Sequence, residues 1–111
     1  MSPSPARIRS TIANVVDQPD DLRDLRRIYK VLADVNRLRI LRTLADGPAT
    51  VTQLVDAVGL SQPLVSWHLR RLRAVGLIET RKSGREVICT LSRDAIERFH
   101  AKEHAMLGMP D

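Results

Sequence analysis

Six cations crowd into sixteen residues of this 111-residue chain. Arg70, Arg71, Arg73, Arg81, Lys82 and Arg85 have one acidic neighbour, Glu79, so the stretch 70–85 accounts for the whole +5 formal net charge. A local excess of this kind suits a polyanionic partner. By charge count alone it also describes a solvated helix face followed by a charged turn. Just upstream, Gln62 and Ser66 offer neutral donors and acceptors and Trp67 offers a large indole. No Ser-His-Asp or Cys-His arrangement, phosphate loop or carboxylate pair accompanies them, so the sequence predicts a non-enzyme. His100, Glu103 and His104 fall at i, i+3 and i+4, where they could bind a transition-metal ion together with residues of a second copy, or simply be solvated. Cys89 has no disulfide partner and reads as a small buried hydrophobe rather than a thiol switch. A single cysteine and an N-terminus without a signal-peptide pattern fit a cytoplasmic location. No apolar run reaches the roughly 18 to 20 residues of a membrane helix.

The elements that must position these groups are punctuated by five glycines, each where an element should end. Residues 1–18 read as a flexible arm or a short packing helix, 19–107 as one domain and 108–111 as a tail. Within the domain, Leu22, Leu25, Ile28, Tyr29 and Leu32 recur at helical spacing and predict a first helix near 20–33, with Asp20 as its cap. Asp34 or Asn36 caps a second helix with Leu38, Leu41, Leu44 and Ala45 inward, stopped by Gly47-Pro48. Thr50 and Gln53 form a capping-box pattern that opens a short third helix burying Val51, Leu54, Val55 and Val58. After Gly59, Ser61 caps a fourth helix, with Pro63 in the first turn where no backbone donor is missed. Two strand-like runs joined through Ser83-Gly84 predict a hairpin, and Ser92 caps a last helix. The fold class is therefore mainly helical, a helix-turn-helix with a two-stranded wing and about five helices.

On the fourth helix, 100° per residue puts Val65, Leu69 and Leu72 toward the core. The opposite face then carries Pro63, Trp67, Arg70 and Ala74, with Arg71 beside them and Gln62, Ser66 and Arg73 on a flank. Such a helix fits the DNA major groove, where Gln pairs with adenine edges, Ser serves either base and Arg binds guanine or phosphate. Gln62 and Ser66 are the expected base readers, and Arg70 and Arg71 chiefly phosphate contacts. Arg81, Lys82 and Arg85 around the wing tip would reach backbone phosphates or a minor groove. Trp67 is either part of this surface or packed against the wing or a partner subunit. His68, beside the core stripe, reads as a hydrogen-bonded structural residue. The competing reading is a winged-helix module that docks an acidic protein through Arg70 to Arg85.

The segments VLADVNRLRILRTLAD (31–46) and LVDAVGLSQPLVSWHLRRLRAVGLIETRKSGREVICTL (54–91) resemble the ArsR/SmtB family of small dimeric winged-helix repressors. The resemblance covers roughly residues 26–92. It implies that Ser61 to Leu69 match the family's recognition helix, that Gln62 and Ser66 contact DNA, and that Trp67 stands where relatives often carry His. It also implies a homodimer through the first and last helices, binding a pseudo-palindromic operator. In sensing, the chain departs from the pattern. Thr50 and Thr52 occupy the positions of the Cys-x-Cys pair that binds soft metals, and a hydroxyl cannot replace a thiolate there. Asp94 matches the first ligand of the Asp-x-His type, but Ile96 occupies the second.

Overall fold

The computed structural model describes residues 19–110. The expected arm at 1–18 and the final residue of the tail lie outside them. Among the described residues, five helices and three short strands follow one another: α1 (Pro19–Leu32), α2 (Val35–Ala45), β1 (Ala49–Thr50), α3 (Val51–Val58), α4 (Gln62–Ala74), β2 (Ile78–Ser83), β3 (Glu86–Leu91) and α5 (Arg93–Met106).

Side-chain caps set most of the helix starts. Asp34 Oδ1 accepts the backbone N–H groups of Asn36 and Arg37 at 2.9 and 3.1 Å and opens α2. Thr50 and Gln53 exchange two bonds: the Gln53 N–H donates to Thr50 Oγ1 at 3.1 Å, and the Thr50 N–H donates to Gln53 Oε1 at 2.8 Å. Ser61 and Ser92 cap α4 and α5 through the N–H groups of Leu64 and Ala95. Each such cap contributes on the order of 1 kcal/mol by satisfying a helix-start donor. The turn between α3 and α4 needs a left-handed residue, and Gly59 supplies it at φ 71°.

The wing is present, but it belongs to a three-stranded antiparallel sheet ordered β1-β3-β2 rather than to an isolated pair. Ala49 and Thr50 pair with Cys89 and Ile88, so the residue that caps α3 is also a strand residue. The hairpin register runs from Ile78↔Leu91 to Ser83↔Glu86, which makes Gly84-Arg85 the two-residue turn, one residue later than expected. Positive φ at Gly84 and none at Arg85 is the pattern of a II′ turn. Arg85 therefore sits in the tip itself.

The core joins Ile40 and Leu44 of α2, Leu54 and Val58 of α3, Val65, Leu69 and Leu72 of α4, and Leu77, Ile78 and Cys89 at the sheet. Two inward faces differ from the periodicity reading. On α2, Arg37 is buried while Leu38 and Ala45 are exposed. On α1, Leu25 and Val31 are buried, but Leu22 and Tyr29 remain on the surface. A 3.6-residue stripe identifies apolar positions, not whether one chain has enough mass to cover them.

Candidate nucleic-acid interface

The outward face of α4 is laid out by its inward one. With Val65, Leu69 and Leu72 at 0, 5 and 0 % exposure, the opposite positions must meet solvent. Gln62, Pro63, Trp67, Arg70 and Arg71 are exposed and Ser66 is half-buried. The structure thus brings all six expected recognition-helix residues onto one helix. Arg81, Lys82 and Arg85 are exposed on the wing. A cleft of about 150 Å³ runs between the two elements and is lined by Ser66, Arg70, Arg73 and Thr80.

Arg73, on the flank of the outward face, joins helix to wing: its guanidinium donates to Thr80 Oγ1 at 2.9 Å. The wing is held at its other end by backbone bonds from the Leu77 N–H to the Leu72 carbonyl and from the Ser92 N–H to the Leu77 carbonyl.

Beneath Trp67 lies a buried cation that the sequence reading missed. Arg37, 6 % exposed, donates through Nε to His68 Nδ1 at 3.1 Å and through Nη1 to the Val31 carbonyl at 3.2 Å. Val31 is in the last turn of α1, where carbonyls lack helical partners and the dipole favours a cation. Arg37 therefore closes α1 while standing in the first turn of α2 and holding α4. The same guanidinium lies 5.0 Å from the Trp67 ring centre, and Arg71 approaches it at 6.0 Å. Trp67 is thus 43 % exposed yet anchored by two cations and by the His68 ring at 4.9 Å. The signal for Arg37 is the spacing Arg37, Ile40, Leu41, Leu44, an i, i+3, i+4, i+7 face with a cation in first place.

His68 is buried and hydrogen-bonded, as its place beside the core stripe suggests. Burial depresses its pKa below 6.5 and the Arg37 charge adds to this, while Asp34 pulls the other way. Because Nδ1 accepts from Arg37, the proton of the neutral ring belongs on Nε2. A depressed folded-state pKa leaves the contribution to stability intact above the unfolded value, about 6.5, and removes it as pH falls toward the folded value. We expect urea midpoints to decline below pH 6.5 more steeply for the native chain than for His68→Gln, which keeps an acceptor but cannot titrate. Parallel profiles would contradict this role.

The candidate metal trio is otherwise engaged. Glu103 Oε2 accepts from the Tyr29 hydroxyl at 2.8 Å, and that bond, against the effect of burial and with help from His100 and His104, holds the Glu103 carboxyl below the usual range. His100 Nδ1 lies 3.4 Å from Glu103 Oε1, and His104 Nδ1 lies 3.2 Å from the Pro110 carbonyl. Among the described residues no group of three or more His, Cys, Asp and Glu is arranged to hold a metal ion. An ion at His100, Glu103 and His104 would have to displace these contacts. Thr50 spends its hydroxyl on the cap of α3, and Thr52 is exposed. Cys89 is fully buried, and burial pushes its thiol up despite the Arg73 charge, opposite to what a reactive thiolate needs.

Comparison with known proteins agrees with this architecture. The model of the bacterial regulatory proteins of the arsR family matches residues 34–80, which span α2 through the start of the wing. The transcriptional regulator NmtR of Mycobacterium tuberculosis is 37 % identical over 87 residues, covering 74 % of this chain and 72 % of NmtR. KmtR of the same organism is 35 % identical over 89 residues, covering 75 % and 68 %. A homodimeric winged helix-turn-helix DNA-binding domain from Mycobacterium bovis superposes with a TM-score of 0.65 at 30 % identity, over 74 % of this chain and 77 % of that one. With its capped helices, wing and exposed basic α4, the chain belongs to the ArsR family of bacterial transcriptional regulators, which are not enzymes.

Proposed function

We propose that the chain is a sequence-specific DNA-binding repressor that acts as a homodimer on a pseudo-palindromic operator in the cytoplasm. The observation that carries this reading is the outward face of α4, where Gln62, Ser66, Arg70 and Arg71 share one helix with exposed cations on the adjoining wing. Gln62 and Ser66 read base edges, Pro63 and Trp67 fill the groove beside them, and Arg70 and Arg71 bind phosphate. Arg81, Lys82 and Arg85 hold the flanking backbone. The homodimeric relative supports a two-fold assembly. So does an apolar groove of about 460 Å³ between α1 and α5, lined by Leu22, Leu25, Tyr29, Ala33 and Met106. A second copy covering it accounts for the apolar residues that α1 leaves exposed, and a dimeric helix-turn-helix protein meets half-sites about 34 Å apart on successive turns of DNA.

The alternative, docking of an acidic protein through Arg70 to Arg85 with Trp67 exposed beside them, is weakened by the Arg37 and Arg71 contacts that partly cover the indole. Repression without the Cys-x-Cys pair means that release from DNA depends on something other than a soft metal at Thr50 and Thr52. Operator fragments selected from random DNA give the decisive measurement. Gln62→Ala and Ser66→Ala should each flatten base preference at one or two positions per half-site, at about 1–3 kcal/mol of discrimination per lost contact. Selection of identical sequences by both variants and the native chain would overturn the assignment. Failure of the folded protein to select any sequence at low salt would overturn DNA reading itself.

A further inference from the structure

A second cavity, of about 230 Å³, opens where α1, α5 and the end of the recognition helix meet. Ile28 from α1, Val75 just beyond α4 and Phe99 from α5 give it an apolar floor. Three cations, Arg27, Arg98 and Lys102, and one carboxylate, Asp24, complete the lining. We infer that this cavity is an effector site for a small monocarboxylate with an apolar body, and that filling it weakens DNA binding. The regulatory half of this inference rests on the DNA-binding reading above; the binding half does not.

The chemistry follows from the lining. The cavity is below the roughly 300–1,000 Å³ of drug-sized pockets, so its occupant is small, and cavities between helices are common ligand sites. An apolar floor calls for an apolar body and surrounding cations call for an anion. The carboxylates already nearby are loosely held. Arg27 lies 3.5 Å from Asp24, Lys102 lies 3.6 and 3.7 Å from Asp21 and Asp24, and Arg98 lies 3.4 Å from Asp94. Charge-assisted bonds form at about 2.7–2.9 Å, so an incoming carboxylate can make shorter contacts than those it displaces. Arg98, on an exposed helix face, has Asp94 at i−4 as its one carboxylate partner among the described residues and can turn to the cavity.

The cavity is also placed to act on DNA binding. Ala74, at the C-terminal end of α4, lines it, and the chain leaves that point for the wing. At 100° per residue, Asp24, Arg27 and Ile28 lie on the opposite side of α1 from Leu22, Tyr29 and Ala33. The occupant thus does not compete with a second copy in the apolar groove. An anion there exchanges with Asp24 and Asp94 as the partner of cations close to the base of the recognition helix and bears on the end of the helix itself.

The test titrates the free dimer with phenylacetate, benzoate and isovalerate by amide NMR and calorimetry, with phenylacetamide as the uncharged control. Saturable shifts centred on Ile28, Val75 and Phe99 are expected for at least one acid and not for the amide. Arg98→Gln and Lys102→Gln, checked for native unfolding midpoints, should each weaken binding by about tenfold. No saturable binding by any of the acids, or equal binding of the amide, overturns the site. Binding that leaves operator affinity unchanged overturns the effector role. Binding in a protein that selects no DNA leaves the cavity standing and overturns the DNA-binding reading instead.

Discussion

Arg37→Ala is expected to lower unfolding stability by about 2–4 kcal/mol, a large fraction of the total for a small domain. The substitution leaves two buried acceptors, His68 Nδ1 and the Val31 carbonyl, without their donor, in a site too enclosed for water to replace it freely. It also removes the cation beneath Trp67. The effect on function should exceed the effect on stability. Even at temperatures where the variant remains folded, the N-terminal half of α4 loses its tie to α2, and operator affinity should fall at least about tenfold. Arg37→Lys separates charge from geometry, since an ammonium cannot present the two diverging donors of a guanidinium. It should recover less than half of the lost stability. His68→Ala should cost less in the Arg37→Ala background than in the native chain, by about the energy of the bond between them, because that contact is already gone. Chemical unfolding of the two single variants and the double variant checks this. A variant Arg37→Ala within about 0.5 kcal/mol of native, or an additive double variant, would show that the buried network is not what holds α4.

The second large effect is electrostatic. Replacing Arg81, Lys82 and Arg85 together with Gln should leave stability within about 0.5 kcal/mol of native, because all three are exposed and none bridges to a carboxylate among the described residues. DNA affinity should nevertheless fall steeply. Each phosphate neutralised adds about 0.9 to the slope of log affinity against log salt, so three lost contacts lower that slope by about 2.7 per subunit. Base preference should survive, because these cations hold the backbone and read nothing. Fluorescence anisotropy over a salt series gives the slope and a selection experiment gives the preference. An unchanged slope would remove the wing from the DNA footprint, and an altered preference would make it a base reader.

Much of this architecture is written in local chemistry. Asp34, Thr50 with Gln53, Ser61 and Ser92 are caps by residue type and spacing, and each is seen capping the helix it precedes. The inward stripe of α4 is equally local, because Val65, Leu69 and Leu72 are apolar among polar neighbours. What escaped depends on contacts distant in sequence. The strand β1 is two residues long and exists only through its pairing with β3, some forty residues away. Arg37 reads as a surface charge until Val31 and His68 are placed around it. Leu22 and Tyr29 read as core until the other described elements are seen to leave one face of α1 open. The candidate base readers and wing cations were visible from spacing and charge, whereas the support under Trp67 was not.

The small strand at Ala49–Thr50 has a consequence for the kind of operator this protein can select. By pairing Thr50 with Ile88 and capping α3 with the same residue, it fastens the wing to the first helix of the helix-turn-helix. Arg73 and Thr80 fasten the wing to the second. The distance from α4 to the wing, and on the proposed reading from bases to flanking phosphates, is therefore fixed within the chain. Sequences whose groove width does not match that distance must be bent or twisted to fit, at an energy cost set by base steps the protein never touches. Stiffness of the operator flanks should accordingly rank binding sites that carry identical contacted bases.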